Sequence, residues 1–260
     1  MKQLHGKVAI VTGAGRGIGR AIAIGYAREG AKVVVASRTP ATVDAVVKEI
    51  RDDGGTAIGA PCDVSHKDQI FAMVDRTAAE FGTIDILVNN AQGFGTEAKP
   101  QASTVYVALE DTHDDELLYT FRSGALATFW GMQAVFPHMK HRGGKIINFG
   151  STAGMIGNPG NTSYNVTKEA IRALTRTAAN EWGRYNIIVN TLNPTLRTDA
   201  FTAWEKARPE TVAAIIDGTP LKRLGDPAKD GVPLAVFLAS DGNSYMTGMT
   251  FQLGGGRIMP

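Results

Sequence analysis

The sequence places a tyrosine, a lysine and a serine in a pattern that could move a proton. Tyr164 and Lys168 are four residues apart at the start of a predicted helix, so their side chains project from one face. Ser151 follows a predicted strand that ends at Phe149. A tyrosine can donate a proton to a developing alkoxide, and a serine hydroxyl can donate a hydrogen bond to the same oxygen. These three residues are therefore candidate catalytic residues for the interconversion of an alcohol and a carbonyl.

The lysine supplies the charge that this chemistry needs. A tyrosine with an ordinary pKa near 10 must lose about 3 units to act near neutral pH, which requires roughly 4 kcal/mol. One ammonium group about 4 Å away supplies about this much at an effective dielectric constant of about 20. We therefore expect Lys168 to lower the pKa of Tyr164.

A glycine-rich turn near the start of the chain is a candidate site for a dinucleotide. Residues 12–19 read Thr-Gly-Ala-Gly-Arg-Gly-Ile-Gly and lie between a predicted strand and a predicted helix. Glycines let the backbone approach a pyrophosphate at the positive end of that helix. Ile18 stands where the GxGxxG fingerprint needs glycine, but the strand before the turn and the helix after it favour a cofactor site over a purely structural turn.

The end of the second predicted strand indicates which cofactor binds. Ser37 and Arg38 stand where a carboxylate would accept from the adenosine ribose, and Arg16 could approach the same place. Two guanidinium groups would bind a 2′-phosphate, so we predict NADP(H), with NAD(H) as the alternative if the arginines are solvated surface charges. The candidate cofactor contacts in these two segments are Gly13, Gly15, Arg16, Gly17, Ile18, Gly19, Ser37 and Arg38.

Strand and helix patterns alternate along most of the chain. The predicted strands are 8–11, 32–36, 56–61, 84–88, 145–149 and 187–192. The predicted helices are 18–26, 41–52, 67–81, 117–141 and 164–185. Repeated βα units with right-handed crossovers predict an α/β fold, a single-domain doubly wound parallel sheet flanked by helices.

Two long irregular segments, 92–115 and 195–225, each follow a predicted strand. Ligands bind beyond the carboxyl ends of parallel strands, so we expect these segments to form walls of a substrate pocket. Trp204, in the second segment, is a candidate substrate contact.

The composition argues against several classes of protein. The 260 residues are 43% apolar and 20% charged with a net charge of +2, so we expect residues 1–260 to form one dinucleotide-binding and catalytic domain without a nucleic-acid partner. No apolar run approaches the roughly 20 residues of a membrane span, and we expect a cytoplasmic protein with no membrane partner. Cys62 is the only cysteine and the five histidines lack metal-ligand spacing, so no metal site is expected.

Together these motifs resemble the short-chain dehydrogenase/reductase family, in its 3-oxoacyl-thioester reductase-like branch, over residues 7–256. Residues 12–19 resemble its TGxxxGxG turn, residues 89–91 its NNAG segment, and residues 164–168 its YxxxK motif with Ser151 before it. The resemblance implies a Rossmann-type fold and a homotetramer or homodimer formed through the long helices. It also implies that Lys168 and Tyr164 touch the cofactor, and it adds the candidate contacts Asp63, Val64, Asn90, Ala91, Pro194 and Thr198.

Four features depart from the family pattern. Gln92 replaces the last glycine of NNAG, so its side chain is a candidate to enter the cleft, and the chain through 93–113 is about ten residues longer than in that branch. Gly124, next to Ser123, stands where the family keeps a helix asparagine that anchors a water in a proton relay. Thr195 replaces the glycine of the PGxxxT loop, which is one residue shorter here.

The leading hypothesis is an NADP(H)-dependent oxidoreductase that interconverts a secondary alcohol and a ketone with an apolar body, with Tyr164 as acid and base. An NAD-dependent alcohol dehydrogenase of the same fold is the second hypothesis. A non-catalytic, cofactor-binding regulator is the third.

Overall fold

The computed structural model describes residues 2–104, 106–198, 201–202, 205–206 and 209–259. The strands are β1 (Val8–Thr12), β2 (Lys32–Ser37), β3 (Thr56–Pro61), β4 (Ile86–Asn89), β5 (Phe94–Gly95), β6 (Pro100–Gln101), β7 (Gly144–Phe149), β8 (Ile187–Pro194) and β9 (Thr250–Leu253). The helices are α1 (Gly17–Arg28), α2 (Pro40–Asp52), α3 (Lys67–Phe81), α4 (Asp114–Phe121), α5 (Ala127–Met139), α6 (Thr152–Ile156), α7 (Thr162–Trp182), α8 (Pro209–Asp217) and α9 (Val232–Ala239).

Seven of these strands form one sheet in the order β3-β2-β1-β4-β7-β8-β9. Every neighbouring pair in it is parallel. The predicted α/β fold with a doubly wound parallel sheet is therefore confirmed. The strand order reverses between β1 and β4, and this switch point opens a crevice beyond the carboxyl ends of the two strands.

Each face of the sheet packs against its own layer of helices. Val11 of β1 belongs to a buried cluster with Ile22 of α1, whereas the neighbouring Ile10 belongs to a second cluster with Ile70 of α3 and Met139 of α5. Successive side chains of a strand point to opposite faces, and both faces here are covered. This is why all five residues of β1 are buried and why the strand begins with a continuous run of four apolar residues.

The prediction of one regular helix over 117–141 is wrong. α4 begins at Asp114, and a π-helical turn, Arg122–Leu126, separates it from α5. The apolar spacing continues through this turn, so the sequence pattern gives no sign of the wider hydrogen-bond spacing.

The two segments expected to be irregular contain regular elements. In the first, β5 and β6 form a short antiparallel hairpin that pairs Phe94 with Gln101. In the second, α8 follows a stretch that includes Trp204, which lies outside the described residues. The elements α6, α9 and β9 were not predicted. Within the described part of the chain, no helix combines the length and the apolar character needed to cross a membrane.

Candidate active site

The end of β1 is tied to the end of β4 at the switch point. The Thr12 hydroxyl accepts from the backbone N–H groups of Asn90 and Ala91 at 3.0 and 3.1 Å, and it donates to the Val88 carbonyl at 3.1 Å. The Asn90 amide donates to the Thr12 carbonyl at 2.9 Å. These bonds hold the two strand ends together at the floor of the crevice.

A cleft of about 530 Å³ opens above this floor. It brings together most of the residues predicted from the sequence, namely Gly13, Arg16, Gly17, Ile18, Ser37, Arg38, Asp63, Val64, Asn90, Ala91, Tyr164, Lys168, Pro194 and Thr198. Gly15, Gly19 and Ser151 are not among the described residues that line it.

The glycine turn has the close packing expected beside a bound phosphate group. Gly13 has a φ of +66°, and a Cβ there would lie 2.7 Å from Nδ2 of Asn90. A Cβ at Gly19 would lie 2.4 Å from the Gly13 carbonyl oxygen, and one at Gly15 would lie 2.5 Å from the Thr42 hydroxyl. The absence of a side chain at Gly15 and Gly19 lets the turn pack in this way, and their predicted contacts with a cofactor stay a prediction.

The groups at one end of the cleft fit a dinucleotide. Gly17, with a φ of +57°, begins α1, and the first N–H groups of a helix have no partner within it. These groups and the positive end of the helix dipole form a site for an anion such as a pyrophosphate. Arg16 and Ser37 line the same part of the cleft.

Arg38 is held by groups of the protein rather than left free in solvent. Its Nη1 donates to the Tyr119 hydroxyl at 3.2 Å and lies 4.0 Å from Oδ2 of Asp63. Its side chain is 55% exposed, so a ligand can still reach the guanidinium group. Tyr119, from α4, also lines the cleft and was not predicted.

Tyr164 and Lys168 lie on the first turns of α7 at the other end of the cleft. The Lys168 ammonium donates to the Phe149 carbonyl at 2.8 Å and lies 5.3 Å from the centre of the Tyr164 ring. Ser151 caps the N-terminus of α6, where its hydroxyl oxygen accepts from the N–H of Ala153 at 3.1 Å. The Ser151 side chain also lowers the pKa of Tyr164 through a hydrogen-bonding interaction, so the three predicted residues lie together although Ser151 is behind the cleft surface.

The pKa of Tyr164 is shifted in the opposite direction from our expectation. Burial raises it, and the hydrogen bond with Ser151 lowers it by a smaller amount. Burial also lowers the pKa of Lys168 to about 7, because the charged ammonium loses its hydration. Burial is therefore the largest influence on the pKa of both groups.

The β5–β6 hairpin forms a wall that the sequence analysis did not resolve. Phe94 lines the cleft, and its ring centre lies 5.7 Å from that of Tyr164 at an angle of 44°. Pro100 and Ala102 line the same wall. The prediction that residues 92–115 border the pocket identified the segment. It did not single out Phe94, because nothing in the local sequence marks this residue except that it is aromatic.

The altered loop after β8 still reaches the cleft. Thr195 donates its N–H to the Leu253 carbonyl at 2.8 Å, as an extension of the strand pairing, while Pro194 and Thr198 line the cleft on either side of it. The missing glycine therefore leaves the path of this loop compatible with the predicted contacts.

Comparison with known proteins agrees with this geometry. The model of the short chain dehydrogenase family matches residues 7–209. The 12alpha-hydroxysteroid dehydrogenase of a Clostridium species is 38% identical over 260 residues, which cover 96% of each chain. The 3-oxoacyl-(acyl-carrier-protein) reductase of Thermotoga maritima is 34% identical and covers 99% of this chain and 100% of its own.

A solved structure extends the likeness to three dimensions. A 7 alpha-hydroxysteroid dehydrogenase complexed with NADH and 7-oxo glycochenodeoxycholic acid has a TM-score of 0.89 and 34% identity, and the match covers 98% of this chain and 95% of that one. The chain therefore belongs to the short-chain dehydrogenase family and is an oxidoreductase built on a Rossmann-type sheet.

Proposed function

We propose that this protein interconverts a secondary alcohol and a ketone by hydride transfer with NADP(H), and that Tyr164 is its acid and base. The observation that carries the proposal is the position of Tyr164 and Lys168 at one end of a cleft whose other end is the glycine turn, with Ser151 behind Tyr164. The cofactor would supply or accept the hydride.

The residues at the reacting end suit reduction. Because burial raises its pKa, Tyr164 is protonated at neutral pH and can give its proton to the oxygen of the ketone. Ser151 stabilises the tyrosinate that remains, since its side chain lowers the pKa of Tyr164, and we expect its hydroxyl to donate to the carbonyl oxygen of the bound substrate as well. Lys168 lies beside the tyrosine ring, where its ammonium form would further stabilise the tyrosinate.

The preference for NADP(H) rests on three residues at the far end of the cleft. Arg16 and Arg38 can surround a 2′-phosphate, and Ser37 can donate to it. NAD(H) is the second candidate, because the contacts of Arg38 with Tyr119 and Asp63 engage part of its donor capacity. The NADH in the related hydroxysteroid dehydrogenase favours the same alternative.

The substrate end favours an apolar alicyclic ketone. Phe94, Pro100, Ala102 and Leu196 line the cleft and present apolar surface, and Phe94 packs beside Tyr164. The hydroxysteroid dehydrogenases among its relatives make oxidised bile acids the first substrates to test. A 3-oxoacyl thioester is the competing class, on the strength of the Thermotoga maritima relative.

The remaining expectations stand as parts of the same proposal. Residues 1–260 act as one catalytic domain in the cytoplasm, as a homotetramer or homodimer without nucleic-acid or membrane partners. A non-catalytic regulator would bind the cofactor without turnover. The experiments below distinguish it from an enzyme.

Titration with NADPH and NADH, followed by protein fluorescence and reduced-nicotinamide emission at one salt concentration, tests the cofactor. We expect NADPH to bind more tightly by about tenfold, and we expect Arg38→Ala to remove most of that difference because it deletes one charge-assisted contact. Arg142→Ala, an exposed arginine after α5, is the matched control. Tighter binding of NADH in the wild type would favour alcohol oxidation with NAD.

A panel of 7-oxo and 12-oxo bile acids, simple cyclic ketones and a 3-oxoacyl thioester tests the reaction. Tyr164→Phe should reduce kcat by about a thousandfold while leaving the dissociation constant of NADPH within a few-fold. Tyr245→Phe, at a side chain that is 98% exposed, should leave both unchanged. Unchanged ketone reduction in Tyr164→Phe would refute the mechanism, and NADPH binding without reduction of any ketone would favour the regulator.

A further inference from the structure

α6 is a short helix whose position depends on contacts with other elements. It contains five residues, Thr152–Ile156, and a helix of this length is not stable by itself. Ser151 is its N-cap, and the Ser151 hydroxyl oxygen accepts from the N–H of Ala153 at 3.1 Å. The direction in which Ser151 faces Tyr164 is therefore set by where α6 lies on the sheet.

Met155 fastens α6 to the sheet. Within α6 it is the one residue whose side chain is hydrogen-bonded to another described residue. Its sulfur accepts from Nδ2 of Asn193 at 3.2 Å and from Nε2 of Gln252 at 2.9 Å. Asn193 and Gln252 are partners in the parallel pairing of β8 with β9, so two neighbouring amides of the sheet reach one sulfur. A methionine side chain is flexible and its thioether is a weak acceptor, but two donors on one sulfur hold the side chain in a single arrangement.

Asn193 also contacts the residue that precedes Ser151. It is completely buried, and a Cβ at Gly150 would lie 2.3 Å from its Oδ1. Asn193 therefore lies between Gly150 and Met155, which stand just before Ser151 and one helical turn after it. Its Oδ1 has no hydrogen-bond partner among the described residues. A buried, unpaired amide oxygen destabilises a fold, so packing does not explain an asparagine at this position, whereas its hydrogen bond to Met155 does.

We propose that Met155 is a positioning residue, which together with Asn193 and Gln252 fixes α6 so that the Ser151 hydroxyl stays beside Tyr164. The inference rests on the proposed function, since Ser151 serves the reaction only through Tyr164 and the substrate oxygen. The sulfur of Met155 acts as a hydrogen-bond acceptor and takes no part in the transfer of a proton or a hydride. Its loss should therefore change turnover through Ser151 and leave the binding of cofactor and ketone unaltered.

Two substitutions at position 155 separate the hydrogen bonds from packing. Met155→Leu has nearly the same volume but no acceptor. It should lower kcat by about fivefold, with the KM of the ketone and the dissociation constant of NADPH within about twofold of the wild type. Met155→Gln is more polar but offers an oxygen to the same two amides, and it should keep kcat within about twofold of the wild type. Met132→Leu is the matched control, because Met132 is also buried and its sulfur accepts from the Asn148 amide at 3.5 Å; its kcat should equal that of the wild type.

A double variant tests whether Met155 acts through Ser151. Ser151→Ala should lower kcat by about a hundredfold, because it removes the hydroxyl from the reacting end. In that background Met155→Leu should lower kcat no further, since no hydroxyl is left to position. A further fivefold fall in the double variant would show that Met155 acts on the fold at large and would overturn the inference. So would full activity in Met155→Leu, or a larger loss in Met155→Gln than in Met155→Leu.

Hydrogen–deuterium exchange followed by mass spectrometry tests the same inference without turnover. In the cofactor-free protein, the peptide that covers 151–158 should exchange about tenfold faster in Met155→Leu than in the wild type or in Met155→Gln, because α6 is released from β8 and β9. The peptides of α7 should exchange as in the wild type. Equal exchange of 151–158 in all three proteins would overturn the inference. A wild type that reduces no ketone would instead overturn the proposed function, and the exchange experiment would still decide whether Met155 holds α6.

Discussion

Replacing Lys168 by methionine should make the cofactor-free protein more stable at neutral pH. Lys168 is 3% exposed, and its ammonium group donates to the Phe149 carbonyl at 2.8 Å. Methionine is about as long as the lysine stem and carries no charge, so Lys168→Met removes the ammonium without opening a large cavity. The free energy of unfolding should therefore rise, although the variant loses a residue proposed for turnover.

The magnitude follows from the pKa of the lysine. Burial lowers that pKa from 10.5 to about 7. At 1.36 kcal/mol per unit, the charged form costs the folded state roughly 4 to 5 kcal/mol. The loss of the hydrogen bond to the Phe149 carbonyl offsets about 1 kcal/mol of the gain. We expect Lys168→Met to be about 3 kcal/mol more stable than the wild type at pH 6.5.

The pKa of Lys168 also determines how the stability difference between Lys168→Met and the wild type changes with pH. Between pH 7 and pH 10.5 the unfolded wild type binds more protons than the folded wild type at this lysine, so the stability of the wild type rises with pH across that window. The advantage of Lys168→Met should shrink over the same range. Near pH 10.5 the variant should be about 1 kcal/mol less stable, because only the lost hydrogen bond remains.

Urea unfolding at four pH values between 6.5 and 10.5, at one protein concentration and without cofactor, measures these differences. Lys140→Met, at an exposed position after α5, is the matched control and should show a small difference independent of pH. A stability difference between Lys168→Met and the wild type that stays flat across the window would refute the reasoning. So would a variant that is less stable than the wild type at pH 6.5.

Three further predictions concern the glycine turn and two residues that line the cleft. Gly19→Ala should weaken NADPH binding by more than tenfold and destabilise the fold by about 1–3 kcal/mol, because its Cβ would lie 2.4 Å from a backbone oxygen. Tyr119→Phe should reduce the preference for NADPH over NADH by about threefold, because Arg38 loses the hydroxyl that holds it. Phe94→Ala should raise the KM of alicyclic ketones by about tenfold with little effect on small ketones, because it removes the ring packed against Tyr164.

Each of these has its own measurement and contrary outcome. Fluorescence titration and thermal unfolding compare Gly19→Ala with Gly183→Ala, where a Cβ meets nothing within 4 Å; equal effects in the two would contradict the packing argument. Dissociation constants for both cofactors test Tyr119→Phe, and an unchanged ratio would show that the hydroxyl does not orient Arg38. Steady-state kinetics test Phe94→Ala, and equal changes in KM for large and small ketones would rule out a role in selectivity.

The parts of the structure that depend on short-range patterns could be predicted from the sequence. The glycine turn, for example, consists of neighbouring residues, and the close approach of Gly19 to the Gly13 carbonyl lies within the turn itself. The apolar run of β1 predicts a strand buried on both faces, and the order of such strands follows from the right-handed crossover. The pairing of Tyr164 with Lys168 follows from helical spacing alone.

The rest depends on contacts between distant residues. Arg38 meets Tyr119 across 81 positions of sequence, and no local pattern marks either residue as the partner of the other. The β5–β6 hairpin has two-residue strands, which are too short for an alternating pattern. The upward shift in the pKa of Tyr164 reflects its burial, which spacing cannot supply.

The features of this site that lower the free energy of unfolding lie outside the apolar clusters of the core. Lys168, which is buried, and Gln92, whose side-chain oxygen has no hydrogen-bond partner among the described residues, border the cleft above the carboxyl ends of the strands. Below them the two apolar clusters on either face of the sheet bury residues such as Ile10 and Val11 completely. Because burial of apolar surface supplies most of the stability of a domain, changes at Gln92 or Lys168 remove little of it. Variants at these positions should therefore remain folded, and their altered kinetics can be interpreted as changes in chemistry rather than as loss of structure.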